Sequence, residues 1–302
     1  MWRPPDPVIE NDMSQATPET SVEMPAGFDP EESAQLRAVA IAAAMAVAPG
    51  LKAAFRSKMV VDFKNDLRDI VTEHDRAAEV AITEHLLAAV PQSEVLGEEG
   101  GLRGSGPVRW YVDPIDGTAN FARGLPNWCI SIGAVVDGQI VAGVIVDPMG
   151  GNVFSADLRG AYLNDAPMRS NAAQEARFAT LISSYPAARD FAADGKAAAL
   201  EDFGQLVEGF SSVRRNGSAA LGLAHVAAGW ADAAAGFGIN AWDVTAAVLI
   251  LRQSGGRYLP FAYGQTPAAE PAFVHPGYIA IGGGGDYPFL SQTWARIAAS
   301  RS

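Results

Sequence analysis

Apolar residues in the first half of the chain recur first at helical spacing and then in short runs that are typical of strands. Pro91 ends the second helical pattern, and Asp137-Gly138, between two later runs, is a strong hairpin signal. The predicted elements are helices from about Pro30 to Ala48 and from Glu73 to Ala89, strands at Glu94 to Leu96 and Val108 to Val112, a hairpin at Asp137-Gly138, and a further strand pair that turns at Asn164-Asp165. This half therefore predicts two helices packed on a largely antiparallel sheet.

The second half alternates between strands and helices, which is typical of an α/β layer. No polar linker separates the halves, so we expect a single domain over residues 29–302, with subdomains of about 29–175 and 176–302 and a cleft between them. Residues 1–28 are rich in Pro, Glu, Asp, Ser and Thr and are expected to form a flexible tail. The predicted elements of the second half are strands at Ala179 to Ser183, Ser211 to Arg215, Ala231 to Phe237, Tyr258 to Pro260 and Tyr278 to Ile281, and helices at about Arg189 to Phe210, Ser218 to Gly229, Trp242 to Gln253 and Tyr287 to Ala299.

Composition narrows the classes of protein that the chain fits. Its 302 residues carry 22 Lys and Arg against 34 Asp and Glu, a formal net charge of -12, which argues against binding to a nucleic-acid backbone. The single cysteine, Cys129, excludes an intrachain disulfide and a cysteine-based zinc cluster, and it fits a reducing, cytoplasmic compartment. The most apolar segment, Ala38 to Gly50, is too short to span a bilayer and predicts a packed core helix.

Acidic residues stand at four places where a strand or loop meets a turn or the start of a helix. Apolar residues directly precede three of these places, which indicates that the carboxylates emerge from the edge of the core. Carboxylates gathered there would raise one another's pKa unless a cation bound between them. Hard cations such as Mg²⁺ prefer oxygen ligands, whereas the four histidines lack the spacing typical of zinc sites. The four places are Asp75, the pair Glu98 and Glu99, the pair Asp113 and Asp116, and Asp243.

Each of these places also has a purely structural interpretation. The segment from Asp113 to Thr118, DPIDGT, is a common turn sequence, although the same spacing can direct both carboxylates and the Ile115 carbonyl at one cation. Thr72 and Asp75 have the spacing of a capping box, with Thr72 as N-cap and Asp75 at N3, so Asp75 could serve the helix alone. Asp243 could equally be a first-turn acid that the helix dipole favours. The residues alone leave these alternatives open.

Four motifs, in order, resemble the inositol monophosphatase family of Mg²⁺-dependent, lithium-sensitive phosphatases. They are KNDLRDIVTEHD (Lys64 to Asp75), GEE (Gly97 to Glu99), DPIDGTANF (Asp113 to Phe121) and GINAWDVTAAVLIL (Gly238 to Leu251). The third differs from the usual family sequence only at Ala119, and the resemblance covers nearly the whole chain after the tail. It implies an α+β fold, a layered α-β-α-β-α sandwich in which an antiparallel N-terminal sheet precedes an α/β C-terminal part. It also implies a homodimer.

The resemblance implies two to three Mg²⁺ ions in each active site and a small phosphate ester as substrate. Glu98, Asp113 and the Ile115 carbonyl would hold one ion. Asp113, Asp116 and Asp243 would hold a second, and a third would use Glu98 and water. The nucleophile would be a water molecule activated at the ions with help from Thr118 and Asp75, and no residue would become phosphorylated. The residues implied at the substrate are Asp116, Gly117, Thr118, Gly217, Ser218, Ala219 and Asp243.

Three charged residues have less defined roles. Glu99 is expected to support its neighbour Glu98 rather than to bind an ion. Lys64 is either an electrostatic partner of the acidic loops or an ordinary surface lysine. Arg123 stands where the family often has a histidine, and its charge near the mouth of the site would favour a second anionic group on the substrate.

Gly236 occupies the position at which inositol phosphatases of this family commonly have a glutamate that binds ring hydroxyls. A glycine would leave room for a bulkier alcohol, unless another residue supplies the missing acceptor. The expected activity is hydrolysis of a small polyol, sugar or amino-alcohol phosphate similar to inositol 1-phosphate. Histidinol phosphate, fructose 1,6-bisphosphate and 3'-phosphoadenosine 5'-phosphate are alternative substrates, and a regulatory binding protein that keeps the fold is an alternative of another class.

Overall fold

The computed structural model describes residues 28–63, 70–264 and 271–301, so the predicted tail apart from Phe28, and Lys64, lie outside the described residues. The helices of these ranges are α1 (Pro30–Ala54), α2 (Glu73–Ala89), α3 (Thr118–Arg123), α4 (Ala188–Asp194), α5 (Lys196–Gly209), α6 (Ala219–Ala227), α7 (Ala241–Gln253) and α8 (Pro288–Ser300). The strands are β1 (Val61–Phe63), β2 (Ile70–Thr72), β3 (Ser93–Gly97), β4 (Gly101–Gly104), β5 (Val108–Asp116), β6 (Cys129–Val136), β7 (Gln139–Asp147), β8 (Asn152–Asp157), β9 (Gly160–Leu163), β10 (Ala166–Pro167), β11 (Thr180–Ser183), β12 (Ser212–Arg214), β13 (Ala233–Phe237), β14 (Arg257–Phe261) and β15 (Gly277–Ile281).

Two large sheets follow one another along the chain. Strands β3 to β10 form an eight-stranded sheet in the order β10-β9-β8-β7-β6-β5-β3-β4, antiparallel except for the pair β3 and β5. Strands β11 to β15 form a five-stranded sheet in the order β12-β11-β13-β15-β14, in which β12, β11 and β13 are parallel. The prediction that a largely antiparallel sheet precedes an α/β layer along the chain is therefore confirmed.

Helices and sheets alternate in five layers that enclose three apolar cores. Helices α1 and α2 cover one face of the eight-stranded sheet, around buried Trp110 and Trp128. Helices α6 and α7 lie between the two sheets. Helices α5 and α8 cover the outer face of the five-stranded sheet, around buried Tyr185 and Trp294. This arrangement is the predicted α-β-α-β-α sandwich.

Helix α1 continues to Ala54, beyond its predicted end at Ala48, although Pro49 lies within it. Proline removes one backbone donor, but the buried face of the helix, which includes Ala44 and Leu51, packs against the sheet and maintains the helix beyond that point. Among the described residues α1 is the one helix whose length and composition would allow it to cross a membrane, a test that core helices of soluble proteins also pass.

Glycine splits the long helix that was predicted from Arg189 to Phe210. Gly195 has a φ of +82°, a left-handed conformation that ends α4 before α5 begins. The prediction of one helix was wrong. The helical spacing of apolar residues continues across Gly195, but the helical backbone conformation is interrupted there.

Strand β5 continues through Asp113 and Asp116 and does not end in the turn that was predicted after Val112. Asp113 pairs with Ser131 and Asp116 with Cys129, and a β-bulge between these two pairs contains Pro114 and Ile115. A bulge accommodates the proline because Pro114 has no N–H to contribute to the strand pairing. Both carboxylates are therefore held on a sheet strand rather than on a loop.

Helix α7 lies unusually close to the eight-stranded sheet because two glycines face it. A Cβ atom at Gly133 would lie 2.6 Å from Cγ2 of Thr245, and one at Gly143 would lie 2.6 Å from the carbonyl oxygen of Ala246. The two glycines thus let α7 pack closely on β6 and β7, and α7, which carries Asp243 in its first turn, also contacts β5, the strand of Asp113 and Asp116.

Candidate active site

The acidic residues that the sequence singles out meet where β5 ends against the first turns of α2, α6 and α7. The charges of Glu98, Asp116, Asp243 and Asp75 all act on Asp113, which is buried. Helix N-termini carry partial positive charge, so three of them directed at one place stabilise negative groups there. The topology therefore provides a centre for anions at this edge of the sheet.

One oxygen of each of the four aspartates is held by a backbone N–H. Oδ2 of Asp75 accepts from Thr72 at 2.8 Å, and Oδ1 of Asp113 accepts from Ile115 at 3.0 Å. The same relationship joins Oδ2 of Asp116 to the N–H of Ala220 at 2.6 Å and Oδ2 of Asp243 to that of Asn240 at 2.8 Å. Asp75, Asp113 and Asp243 are thus oriented by backbone two or three residues away, as the structural interpretations of Asp75 and Asp243 require, whereas Asp116 is oriented by the distant N–H of Ala220.

Asp116 connects β5 to the first turn of α6. In addition to the Ala220 N–H, its Oδ2 accepts a hydrogen bond of 2.6 Å from the Ser218 hydroxyl, and that hydroxyl in turn caps α6 by accepting from the N–H of Leu221 at 3.2 Å. Asp116 is 8% exposed. The predicted substrate segment from Gly217 to Ala219 is therefore attached directly to a predicted metal ligand.

Asp75 and Thr118 lie together although they come from different helices. The Thr118 hydroxyl is 2.9 Å from Oδ1 of Asp75 and 3.0 Å from the Ile115 carbonyl oxygen. The other oxygen of Asp75 accepts from the N–H and the hydroxyl of Thr72, which completes the capping box of α2. Asp75 is fully buried, so it has both the capping contacts and the contact with Thr118.

Burial and mutual repulsion raise the pKa of every aspartate in the centre. Burial raises the pKa of Asp116 to about 6, against hydrogen bonds from Ser218 and Ala220 that lower it. Burial and then the charge of Asp116 raise the pKa of Asp243 to about 8. The pKa of Asp113 is raised well above its ordinary value by burial and the neighbouring carboxylates, and that of Asp75 is raised mainly by burial. Such crowding favours either bound protons or a bound cation.

The donor set fits a hard divalent cation by its chemistry, since it consists of carboxylates and one carbonyl oxygen. Within the described ranges, no three Asp, Glu, His or Cys side chains are gathered at the spacing of a metal-ligand set. The charge of Asp243 raises the pKa of Asp113, so the two carboxylates lie close enough to repel each other. A cation bound between them would offset this repulsion.

Glu98 and Glu99 lie half-buried in the turn after β3, and they face different parts of the centre. The charge of Glu98 raises the pKa of Asp113, Asp116 and Asp243, whereas that of Glu99 acts on Asp75. The N–H of Glu98 donates to the carbonyl oxygen of Val112 at 3.2 Å, directly before Asp113 on β5.

Glu79 is a residue of the site that the sequence analysis missed. It follows Asp75 by one turn of α2, is 5% exposed, and accepts hydrogen bonds from the N–H groups of Glu99 and Gly100. Its spacing of four residues from Asp75 was the one available signal, because residues four apart in a helix lie next to each other, but its burial is visible only in the structure.

The predicted substrate segments border each other. A Cβ atom at Gly117 would lie 3.3 Å from the carbonyl oxygen of Gly217, and both glycines have positive φ, at +99° and +75°. Arg123, by contrast, lies on the exposed side of α3 and donates to the carbonyl oxygen of Ala119 in its own helix.

The space beside Gly236 is occupied rather than open. A Cβ atom there would lie 3.1 Å from Cε1 of Tyr278 and 3.3 Å from the hydroxyl oxygen of Ser184. Tyr278 pairs with Gly236 between β15 and β13 and is 5% exposed. Burial raises the pKa of Tyr278, and the charges of Asp116 and Asp243 raise it further. The expectation that this glycine leaves room for a bulkier alcohol is therefore not supported by the packing.

Two bacterial proteins illustrate the similarity of this chain to known sequences. The chain is 38% identical over 204 residues to Nus factor SuhB of Xylella fastidiosa, covering 67% of this chain and 73% of that protein. It is 37% identical over 224 residues to Nus factor SuhB of Pseudomonas aeruginosa, covering 72% of this chain and 80% of that protein.

Solved structures agree with the fold. The extragenic suppressor protein suhB from Bartonella henselae superposes with a TM-score of 0.76 at 29% identity, over 87% of this chain and 98% of that one. An inositol monophosphatase from Anabaena superposes with a TM-score of 0.72 at 30% identity, over 90% of this chain and 98% of that one. The sequence profile of the inositol monophosphatase family matches residues 32–286. The chain therefore belongs to the inositol monophosphatase family.

Proposed function

We propose that this protein is a Mg²⁺-dependent phosphomonoesterase that hydrolyses a small polyol, sugar or amino-alcohol phosphate. The observation that carries the proposal is the group of four aspartates, each oriented by a backbone N–H, that meets Glu98 and Thr118 at three helix N-termini. Membership of a phosphatase family supports the same conclusion.

The ligands of the cations would be those that the family motifs imply. Glu98, Asp113 and the Ile115 carbonyl would hold one ion, and Asp113, Asp116 and Asp243 a second, with a third at Glu98. When bound, Mg²⁺ would neutralise charge on the phosphoryl oxygens and make a water molecule more acidic. Glu98 contributes its charge from the turn after β3, and the aspartates contribute the oxygens that the backbone leaves unoccupied.

Asp75 and Thr118 would remove the proton of the attacking water. If the Thr118 hydroxyl donates to Asp75, its oxygen lone pair can accept the water proton, and the threonine proton passes to the carboxylate. The raised pKa of Asp75 suits it to receive that proton. The water oxygen would bond to phosphorus as the bond to the alcohol oxygen breaks, the leaving oxygen would take a proton from solvent, and Asp75 would return its proton to solvent. The products are an alcohol and inorganic phosphate, and no residue is phosphorylated.

Recognition of the alcohol would depend on hydroxyl groups rather than on a carboxylate. Tyr278 and Ser184 lie against position 236, where inositol phosphatases commonly have a glutamate, so their neutral hydroxyls would take the place of an anionic acceptor. Gly117, Gly217, Ser218 and Ala219 would line the remainder of the pocket. Histidinol phosphate, fructose 1,6-bisphosphate and 3'-phosphoadenosine 5'-phosphate therefore belong among the substrates to be compared with inositol 1-phosphate.

The regulatory alternative has less support than the enzyme. Relatives of this chain are named Nus factor SuhB, which describes those proteins. The complete set of acidic residues is what an enzyme needs and a purely regulatory protein does not, so we favour catalysis. A homodimer and lithium sensitivity, which the family implies, and a cytoplasmic location, which the single cysteine favours, are part of this proposal.

The test is a phosphate-release screen over a few dozen phosphomonoesters with Mg²⁺, with a chelator, and with Mg²⁺ plus lithium. We expect one ester class to be preferred, with no turnover in chelator and inhibition by lithium. Asp116→Asn should lower kcat by more than about 100-fold, since loss of one ligand removes several kcal/mol of transition-state stabilisation. Asp137→Asn, in the exposed hairpin turn between β6 and β7, is the matched control and should keep wild-type activity. Full activity of Asp116→Asn, or no turnover of any ester by the wild type, would overturn the proposal.

A further inference from the structure

The carboxylate of Glu79 is enclosed by the turn that carries Glu98. Its Oε2 accepts from the N–H of Glu99 at 2.7 Å, and its Oε1 accepts from the N–H of Gly100 at 2.6 Å. The two oxygens therefore bind the N–H groups of two consecutive residues, one each. A turn whose N–H groups both point inward at one anion has its backbone path set by that anion.

Two glycines permit this close contact. A Cβ atom at Gly97 would lie 2.3 Å from Cδ of Glu79, and one at Gly100 would lie 2.7 Å from its Oε1. Any side chain at either position would displace the carboxylate. The segment Gly97–Gly100 and Glu79 thus form one unit, in which the glycines make space for the acid and the acid orders the turn.

The burial of Glu79 requires a reason, because its surroundings repel it. It is 5% exposed, and both burial and the charges of Glu99 and Glu98 raise its pKa. Among the described residues no basic side chain forms an ion pair with it, and its hydrogen bonds there are those from Glu99 and Gly100. The N–H groups of the turn therefore compensate most directly for the buried carboxylate.

The turn is anchored at both ends around Glu98. On one side, the N–H of Glu98 donates to the carbonyl oxygen of Val112, next to Asp113. On the other side, Glu79 holds the two residues that follow. Glu79 also lies one turn after Asp75 on α2, so a single helix face positions both the residue that contacts Thr118 and the turn that carries Glu98.

We propose that Glu79 is a positioning residue that fixes the Gly97–Gly100 turn so that Glu98 reaches the cations together with Asp113. This inference rests on the proposed function in one respect, namely that Glu98 is a ligand of a bound cation. The hold of Glu79 on the turn is a property of the protein without metal and can be measured separately.

The test uses the isosteric substitution Glu79→Gln in the full chain. Glutamine keeps one acceptor oxygen but presents an NH₂ group to the second N–H, so one of the two hydrogen bonds is lost. Glu84→Gln, on the exposed side of the same helix, makes the same chemical change as a matched control. Three quantities are compared: amide hydrogen exchange at Glu99 and Gly100 in chelator, Mg²⁺ affinity by titration calorimetry, and the unfolding midpoint.

We expect Glu79→Gln to exchange at Glu99 or Gly100 at least about tenfold faster and to bind Mg²⁺ about 10–100-fold more weakly, as for other residues that orient metal ligands. Any fall in its unfolding midpoint should be too small to account for the weaker Mg²⁺ binding. Glu84→Gln should match the wild type in amide exchange, Mg²⁺ affinity and unfolding midpoint. Unchanged amide exchange, or faster exchange with unchanged Mg²⁺ affinity, would overturn the inference. Wild-type protein that binds Mg²⁺ yet releases phosphate from no ester would overturn the proposed function while leaving this comparison in force.

Discussion

The hydroxyl of Thr118 lies 2.9 Å from Oδ1 of Asp75, and the hydroxyl of Thr72 bonds to the other oxygen of the same carboxylate. One threonine begins α3 and the other caps α2. The two hydroxyls give the carboxylate two separate tasks, one on each oxygen, and these tasks can be separated by mutation.

Removal of the Thr118 hydroxyl should affect the reaction. In Thr118→Val the water proton has no path to Asp75, so kcat should fall by about 100-fold or more, within the usual range for general acid–base catalysis. Thr118→Ser restores a hydroxyl and should recover most of the rate. Steady-state kinetics at saturating Mg²⁺ measure both variants, and a Thr118→Val enzyme with wild-type kcat would contradict the assignment.

Removal of the Thr72 hydroxyl should affect the fold instead. Thr72→Val loses the side-chain cap of α2, so the free energy of unfolding should decrease by about 1 kcal/mol, a typical value for such a cap. Its kcat should stay within about tenfold of the wild type, because Oδ1 of Asp75 still faces Thr118. Chemical denaturation gives the stability of each variant. If Thr72→Val lost as much activity as Thr118→Val, the division of tasks would be wrong.

The crowded aspartates predict how stability depends on pH in the absence of Mg²⁺. The pKa of Asp116 is raised to about 6 and that of Asp243 to about 8, from an ordinary value of 3.8. The native protein keeps these protons at pH values where the unfolded chain has released them. The free energy of unfolding of the metal-free protein should therefore fall as pH rises from about 4 to about 8.

Added Mg²⁺ should stabilise the protein increasingly over the same range, because the cation replaces protons that are released more easily at higher pH. Thermal denaturation at four pH values, in chelator and in Mg²⁺, measures the effect. Asp243→Asn in chelator should show a shallower decline, since it removes one titrating group. A stabilisation by Mg²⁺ that did not vary with pH would argue against cation binding at these carboxylates.

Tyr278 and Gly236 should be coupled, because the tyrosine ring fills the space beside the glycine. Gly236→Ala introduces a methyl group 3.1 Å from Cε1 of Tyr278 and should reduce stability by about 1–3 kcal/mol, as overpacking does. The same change in a Tyr278→Leu background should have a smaller effect. A double-mutant cycle would then give a coupling energy of about 0.5–3 kcal/mol, and strict additivity would mean that the two positions are independent.

Local sequence signals predicted most of the fold because they act over short distances. The bounds of α2 follow from its capping box and Pro91, and the hairpin at Asp137-Gly138 follows from turn residues that adopt positive φ. The acidic motifs were also local, so the participants Asp75, Asp113 and Asp243 could be named before their contacts were known. Their catalytic and metal-binding roles remain predictions.

Features set by distant contacts could not be predicted in this way. Helix α1 continues past Pro49 because of a packed face, and β5 continues past Val112 because β6 pairs with it. Glu79 looks like one of many helix acids until the Gly97–Gly100 turn folds around it. From the sequence alone, Gly236 suggests an empty space in the pocket. The structure shows that Tyr278, from the later strand β15, fills this space.

The backbone contacts of the three aspartates proposed as ligands limit how readily each can offer both oxygens to a cation. Asp113, Asp116 and Asp243 each have one oxygen that already accepts an N–H, and Oδ2 of Asp116 also accepts from the Ser218 hydroxyl, so binding through the other oxygen alone is favoured. Ca²⁺ takes six to eight oxygens and commonly binds both oxygens of a carboxylate, whereas Mg²⁺ takes six at short, octahedral distances and retains water. The same hydrogen bonds that orient the carboxylates would therefore make this centre selective for the smaller cation.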